Sequence, residues 1–220
     1  MQLINDFEHI IWDWNGTLLD DVDYCRSIIN TILIKNNLSQ LSFDQYREIF
    51  TFPVQDYYEA AGFDFNKVSF EILGQEFMIG YEKKKLSCSL YPQVFNVLKA
   101  IRESNTKQSI LSAYKEDTLV SILQHYKLFD YFDHIVGSDN IYAGSKMQQG
   151  LDLIEKLGAD KDKILFIGDT LHDYDVANAM GVKSILIANG HQSKERLKIN
   201  GAFVLDNMEE LVQYLFDGNK

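Results

Sequence analysis

The segment HIIWDWNGTLLDD, His9 to Asp21, places an aspartate, Asp13, at the end of an apolar run. Gly16 and Thr17 follow three and four residues later. An aspartate in the loop after a strand offers a carboxylate that can attack an electrophile or hold a metal ion. A second carboxylate two residues further on would serve proton transfer, but that position holds Asn15.

Two further apolar runs end in groups that complete such chemistry. SILSAY stops at Ser112. KILFIGD stops at Asp169, with Asp173 four residues later in GDTLHD. Lys146 lies between them, in the loop YAGSKMQQ. A carboxylate attacking phosphorus approaches a dianion, and a hard cation reduces the repulsion. Mg2+ typically takes one or two carboxylates together with substrate phosphate and waters, and Asp13 and Asp169 could supply those carboxylates. Lys146, the Ser112 hydroxyl and the backbone N–H groups after Asp13 could hold the other phosphoryl oxygens. Asp173 could orient Lys146 or a metal-bound water. Plainer readings stand beside these: a turn or cap role for Asp13, a turn for Ser112, an acidic helix cap for Asp173. Asp20, Asp21 and Asp175 read as cap or surface acids. His172 and His191 read as solvated loop histidines near the mouth of the site. Tyr57, Tyr58, Phe63 and Phe65 read as core of a helical segment, with room for one of them to face a substrate.

The elements that must position these groups alternate along the C-terminal two thirds. Buried strands are expected at Gln108–Ala113, His134–Ser138, Lys163–Asp169, Lys183–Asn189 and Ala202–Asp206. Amphipathic segments such as VFNVLKAIRES, EDTLVSILQHY, MQQGLDLIEKLG and VANAMG lie between them, several ending at a glycine such as Gly158 or Gly181. That alternation predicts a parallel sheet covered on both faces. Residues 18–87 show no convincing strand. VDYCRSIINTILIK has helical spacing, SFDQYREIF opens with a capping-box pattern at Ser42 and Gln45, a short helix follows Pro53 and stops near Gly62, and KVSFEILGQEFMIGYEKKK is a longer amphipathic helix. An all-helical unit therefore interrupts an α/β core just after its first strand.

The chain of 220 residues allows one sizeable domain, or a core carrying a smaller insertion. Its formal charge of −11 would repel a nucleic-acid backbone, so no nucleic-acid partner is expected. Two cysteines, Cys25 and Cys88, make neither a disulfide framework nor a zinc site and read as reduced thiols of a cytoplasmic protein. Met1 to Asp6 carries no leader pattern, and no run approaches the roughly 18 apolar residues of a membrane span.

In this order and at these intervals, DWNGTLLD, ILSAY, Lys146 and GDTLHDYDVANAMG resemble the haloacid dehalogenase-like hydrolases, over nearly the whole chain from His9 to Leu215. LYPQVFNVLKAIRES and GHQSKERLKINGAFVLDNMEEL are similar to segments of the phosphoglycolate phosphatase-like branch. The resemblance implies an α/β fold: a Rossmann-like three-layer core with a mainly parallel sheet, residues 1–17 and 88–220, and an inserted helical cap, residues 18–87. It implies a Mg2+-dependent phosphatase, a monomer or weak homodimer, acting through an aspartyl-phosphate on a small phosphorylated metabolite such as phosphoglycolate. Asp13 would be nucleophile and metal ligand, Asp169 a metal ligand, and Asn15 a ligand through its backbone carbonyl. Gly16, Thr17, Ser112, Ala113 and Lys146 would contact the phosphate, with Asp173 behind them. The dehalogenases themselves are metal-free and lack the acidic pair of GDTLHD, which favours phosphoryl chemistry. Lys146 departs from the family pattern in lacking an adjacent proline.

Related phosphatases usually carry an aspartic acid where Asn15 stands, to protonate the leaving oxygen and then activate water. An amide does neither, and losing such a group typically costs about 10²–10⁴-fold in rate. Asn15-Gly16 also suits a tight turn. Several outcomes are open: a slow enzyme or one whose leaving group needs little protonation, a proton supplied by the substrate, His172 or a cap residue, a non-catalytic protein that binds a phosphorylated metabolite, or partial deamidation of Asn15.

Overall fold

The computed structural model describes residues 3–138, 146–198 and 201–217. In chain order the elements are β1 (His9–Trp12), β2 (Leu19–Asp20), α1 (Val22–Lys35), α2 (Phe43–Ile49), α3 (Val54–Ala60), α4 (Phe70–Glu82), β3 (Ser89–Leu90), α5 (Val94–Glu103), β4 (Lys107–Lys115), α6 (Glu116–His125), β5 (His134–Ser138), α7 (Lys146–Leu157), β6 (Ile164–Gly168), α8 (Leu171–Met180), β7 (Lys183–Ile187), α9 (Lys194–Leu197), β8 (Val204–Leu205) and α10 (Met208–Val212). No described helix is long and apolar enough to cross a membrane.

Among the described residues, β5-β4-β1-β6-β7-β8 form one sheet in that order, with every pairing parallel. Alternate side chains of each strand leave by opposite faces. Ile10 and Trp12 of β1, with Leu165 and Ile167 of β6, pack with Val97, Leu98 and Ile101 of α5 and with Leu119 and Ile122 of α6. Ile11, Ile164 and Phe166 pack on the other face with Leu153 of α7 and Val176 and Met180 of α8. A sheet covered on both sides excludes water from the ladder, which is why its strands read as continuous apolar runs. From central β1 the chain runs first to β4 and β5 on one side, then to β6, β7 and β8 on the other. That reversal opens a crevice beyond the carboxyl ends of β1, β4 and β6.

The helices α1 to α4 share a separate cluster that includes Ile29, Ile32, Leu33, Tyr46, Tyr57, Tyr58, Phe63 and Leu73, with Phe65 packed against it. The expected capping box is present: the Ser42 hydroxyl accepts from the Gln45 N–H (3.2 Å), and the Gln45 side chain accepts from the Ser42 N–H (2.9 Å). Gly62 ends the turn after α3 at φ +101°.

Two sequence expectations need correction. The stretch read as strand-free contains β2, which pairs antiparallel with β3 where the chain enters and leaves the helical unit. A two-residue strand carries no period to detect. Lys146 is not a loop residue but the first residue of α7. The expected loop Tyr142–Ser145 ahead of it lies outside the described residues.

Candidate active site

Asp13 follows β1 directly. Its N–H donates to the Ile167 carbonyl (2.8 Å), extending the β1–β6 ladder one residue past the last strand pair. That places its carboxylate beside Asp169, which follows β6 and is fully buried. The Thr17 hydroxyl donates to Asp169 Oδ1 (2.9 Å) and lies 3.4 Å from Asp13 Oδ2. The His191 N–H donates to Asp169 Oδ2 (2.6 Å). Gly16, at φ +75°, and Gly190 close on this carboxylate from two sides. A Cβ at either position would overlap Asp169, so both turns depend on glycine.

Lys146 is 3% exposed and joins two of the acids. Its Nζ pairs with Asp13 Oδ1 and with Asp173 Oδ1, the latter at 2.6 Å. Asp173 uses its other oxygen locally. Oδ2 accepts from the Thr170 hydroxyl (2.7 Å), the Thr170 N–H (2.9 Å) and the Asp169 N–H (3.2 Å), closing a capping box at the start of α8. Both readings of Asp173, helix cap and lysine anchor, therefore hold at once, one oxygen each. Ser112 sits where the pairing of β4 with β5 slips, between Leu111 and Lys115, and such an irregularity re-aims side chains at a sheet's end. Its hydroxyl accepts from the Tyr114 N–H (3.2 Å).

These groups line a cavity of about 100 Å³: Asp13, Ser112, Ala113, Lys146, Asp169 and Asp173, with Phe50 and Phe52 contributed from the helical segment. Asn15, Thr170, His172 and His191 complete it. Gly16 and Thr17, expected at the phosphate, are not among the lining residues. The Gly16 N–H donates to Asp21 Oδ1 (3.0 Å), and the Thr17 hydroxyl goes to Asp169.

Three buried carboxylates share the site with one lysine, which pairs with two of them. For Asp173, burial is outweighed by the charge and hydrogen bond of Lys146 and by Thr170, so it is held below the usual carboxylate range. Lys146 is correspondingly held above its ordinary range, the two acids outweighing its burial. We read Lys146 and Asp173 as the ionised pair. Burial lifts Asp13 to about 6 against the pull of Lys146. Burial pushes Asp169 up to about 8, with Asp173 and Asp13 adding to the rise and His191 opposing it. Carboxylate oxygens of Asp13, Asp169 and Asp173 all lie within 4.8 Å of one another. Three clustered carboxylates against a single lysine make an all-oxygen donor set of the kind that suits a hard divalent cation.

The group that sequence reasoning missed is Asp21. It is fully buried rather than a surface acid, and although it stands at the N-cap position of α1 its side chain caps nothing. Its Oδ2 accepts from Asn15 Nδ2 and from the Tyr81 hydroxyl, each at 2.7 Å, and the second N–H of Asn15 donates to the Tyr81 oxygen (2.6 Å). His191 Nε2 lies 3.4 Å from Asp21 Oδ1, and Nδ1 lies 2.9 Å from the Tyr46 hydroxyl. His191 is thus 5% exposed, not a solvated loop histidine. Burial alone would lower its pKa, but the hydrogen bond and charge of Asp21 raise it. Burial would raise Asp21, yet His191, then Tyr81 and Asn15, hold it low. Beyond Asn15 and Gly16, the partners of Asp21 come from α4 and from the loop after β7, so no local motif announces them. His172 is partly buried. It stacks on Phe52 at 4.7 Å, burial lowers its pKa, and its Nε2 has no hydrogen-bond partner among the described residues.

The family profile of haloacid dehalogenase-like hydrolases matches residues 10–187. A phosphoglycolate phosphatase of Pseudomonas fluorescens is 23% identical over 92% of this chain and 78% of its own length. One from Aquifex aeolicus is 25% identical over 94% and 95%. Among solved structures, a haloacid dehalogenase-like family hydrolase from Streptococcus pneumoniae superposes with a TM-score of 0.79 at 18% identity, covering 95% of this chain and 98% of that one.

Proposed function

The chain belongs to the haloacid dehalogenase-like hydrolases, and from that premise we propose that it is a phosphatase whose nucleophile is Asp13, acting on a small phosphate monoester. The observation that carries the reading is the position of Asp13 on the wall of the 100 Å³ cavity, beside Asp169 and paired with Lys146. Its likeness to relatives named phosphoglycolate phosphatase supports the same reading. In this proposal Lys146, Ser112 and the backbone around Ala113 hold the phosphoryl oxygens. Asp173 fixes Lys146, and Asp13 attacks phosphorus to give an aspartyl-phosphate that water hydrolyses. Asp13, Asp169 and the Asn15 carbonyl would hold Mg2+, which when bound neutralises phosphoryl charge. Thr17 and the His191 N–H fix the orientation of the Asp169 carboxylate. Asn15 is engaged with Asp21 and Tyr81, and its amide cannot move protons. His172 lines the cavity, its Nε2 has no hydrogen-bond partner among the described residues, and it is the neighbouring group suited to take a proton from water. Residues 18–87 act as a cap whose Phe50 and Phe52 shut the cavity.

Initial-rate measurements over a panel of phosphate monoesters with Mg2+ test this. The wild-type protein should release phosphate, and Asp13→Ala should reduce the rate to background while the fold is retained. An Asp13→Ala variant as active as the wild type would remove Asp13 as nucleophile.

A further inference from the structure

Beside the phosphoryl cavity lies a second chamber, of about 180 Å³. Its wall is largely aromatic, with Tyr46, Tyr57, Tyr58, Phe77 and Tyr81 among the contributors. Asn15, Phe50 and His191 line both spaces. The chamber therefore lies on the far side of Asn15 from the phosphoryl cavity, where the rest of a substrate could reach.

Among the described residues, no lysine or arginine lines this chamber. Its charged groups, Asp21 and His191, face each other. Arg47, on α2 beside Tyr46, directs its guanidinium to the carbonyls of Gly190 (2.9 Å), Gln192 (2.8 Å) and Ala188. A leaving group bearing a carboxylate, as glycolate does, would enter with His191 already engaged by Asp21, no other counter-charge in the described lining, and the Asp21 carboxylate beside it, an unfavourable burial. An apolar cavity of about 150 Å³ is enough to take up benzene, so this chamber has room for one ring, and aromatic walls pack well on ring faces and edges. The Tyr57 hydroxyl, buried in the wall, has no partner among the described residues and could meet one polar ring substituent.

Asn15 points the same way independently. Its amide cannot protonate a departing oxygen. A phenol ionises near a pKa of about 10, against about 15.7 for water, to which an alkanol is closer. A phenolate therefore leaves without a proton where an alkoxide does not.

Resting on the phosphatase reading above, we propose that the chamber binds a single uncharged ring and that the substrates are aryl monophosphates rather than phosphoglycolate. In the first step a bond forms from the Asp13 oxygen to phosphorus. The bond from phosphorus to the aryl oxygen breaks, and its electron pair leaves on the phenolate, which takes a proton from solvent. Water then attacks phosphorus, releasing inorganic phosphate and restoring the Asp13 carboxylate.

The test pairs binding with turnover. In titration calorimetry with Mg2+, phenylphosphonate should bind at least about tenfold more tightly than phosphonoacetate, the order expected for burying one aromatic ring. With Mg2+, phenyl phosphate should exceed both phosphoglycolate and benzyl phosphate in kcat/KM. Benzyl phosphate carries a similar ring on an alkoxide leaving group. Phe77→Arg, which puts a cation in the chamber, should shift the ratio of phosphoglycolate to phenyl phosphate turnover at least tenfold toward phosphoglycolate. Equal or reversed affinities of the two phosphonates overturn the ring subsite, whatever the enzyme hydrolyses. Benzyl phosphate turned over as fast as phenyl phosphate overturns the leaving-group argument. Tight, ring-selective binding with no hydrolysis of any ester, nor of the activated anhydride acetyl phosphate, overturns the phosphatase reading and the aryl-phosphate assignment with it, while leaving the ring subsite.

Discussion

Replacing Asn15 with aspartate is the sharpest perturbation of this site, because Asp21 already occupies the place where the new carboxylate would turn. Asn15 Nδ2 lies 2.7 Å from Asp21 Oδ2, and Asn15→Asp puts a second carboxylate oxygen at about that spacing. At an effective dielectric of about 20, two unit charges so close repel by about 6 kcal/mol, equivalent to about four pKa units. His191 beside Asp21 offsets part of this. The pair should therefore keep one shared proton into the neutral range. A carboxyl still protonated there is the general acid that an alkoxide leaving group needs, worth about 10²-fold or more. Initial rates from about pH 5 to 9 should show Asn15→Asp accelerating an alkyl phosphate far more than phenyl phosphate, with the gain falling as the pair loses its proton. The sign for stability follows from linkage. The folded pair holds its proton more tightly than the unfolded chain, so the contribution is full below about pH 4 and is lost as pH rises through the pair's second ionisation. The variant's thermal midpoint should therefore drop relative to wild type as pH rises. An unchanged rate on both substrates together with a wild-type pH profile of stability would refute the argument that Asp21 and residue 15 titrate as one unit.

Lys146→Met leaves Asp13 and Asp173 buried without their shared cation, and urea unfolding should show a loss of about 3–5 kcal/mol; a loss below about 1 kcal/mol would mean that the lysine is not needed to hold the acids together. Asp169 is held up to about 8 in the folded chain against an ordinary 3.8, so its contribution to stability falls as pH rises across that window. Mg2+ bound at Asp169 would take over the role of the proton, so the rise in Tm on adding Mg2+ should be larger near pH 8.5 than near pH 6, and an equal or smaller rise would count against Asp169 as a ligand. Gly16→Ala forces a side chain into Asp169 at a positive φ, and it should lower stability by about 1–3 kcal/mol and abolish Mg2+-dependent turnover. Wild-type Mg2+ affinity in that variant would show that the turn is not what shapes the acid cluster.

Parts of the fold set by local burial were legible before any coordinates. The helical spacing of VDYCRSIINTILIK matches α1 at both ends, and HIVGS matches β5, because in each the apolar pattern and its boundaries lie within the segment itself. The same holds for Asp13 and Asp169, each carried to the crevice by the strand it follows, whereas Ser112, read as the end of its run, lies inside β4 where the pairing with β5 slips. The β2–β3 pairing was not legible, since it arises from two short stretches about 70 residues apart in the chain that meet only when the helical unit folds. Lys146 was misplaced for a related reason. The sequence before it reads as a loop, and nothing local reveals that α7 begins with a lysine whose side chain runs back toward Asp13.

Asn15 shows where reading a sequence stops being enough. The missing carboxyl is visible in the string of letters, and so is its expected cost to catalysis. Its compensation is not, because Tyr81 and His191 lie 66 and 176 residues further along the chain and Asp21 looks like an ordinary helix cap. Once these meet, the amide is the residue that fits. It donates to Asp21 and Tyr81 together, where an ionised aspartate would donate to neither and would repel the first. The same substitution that removes a proton donor thus stabilises a buried aspartate at the wall of the aromatic chamber. A leaving group able to depart as an anion removes the need for the lost acid, and an uncharged ring avoids the carboxylate that Asn15 holds in place. The chemistry of residue 15 and the shape of the chamber therefore constrain the substrate in the same direction.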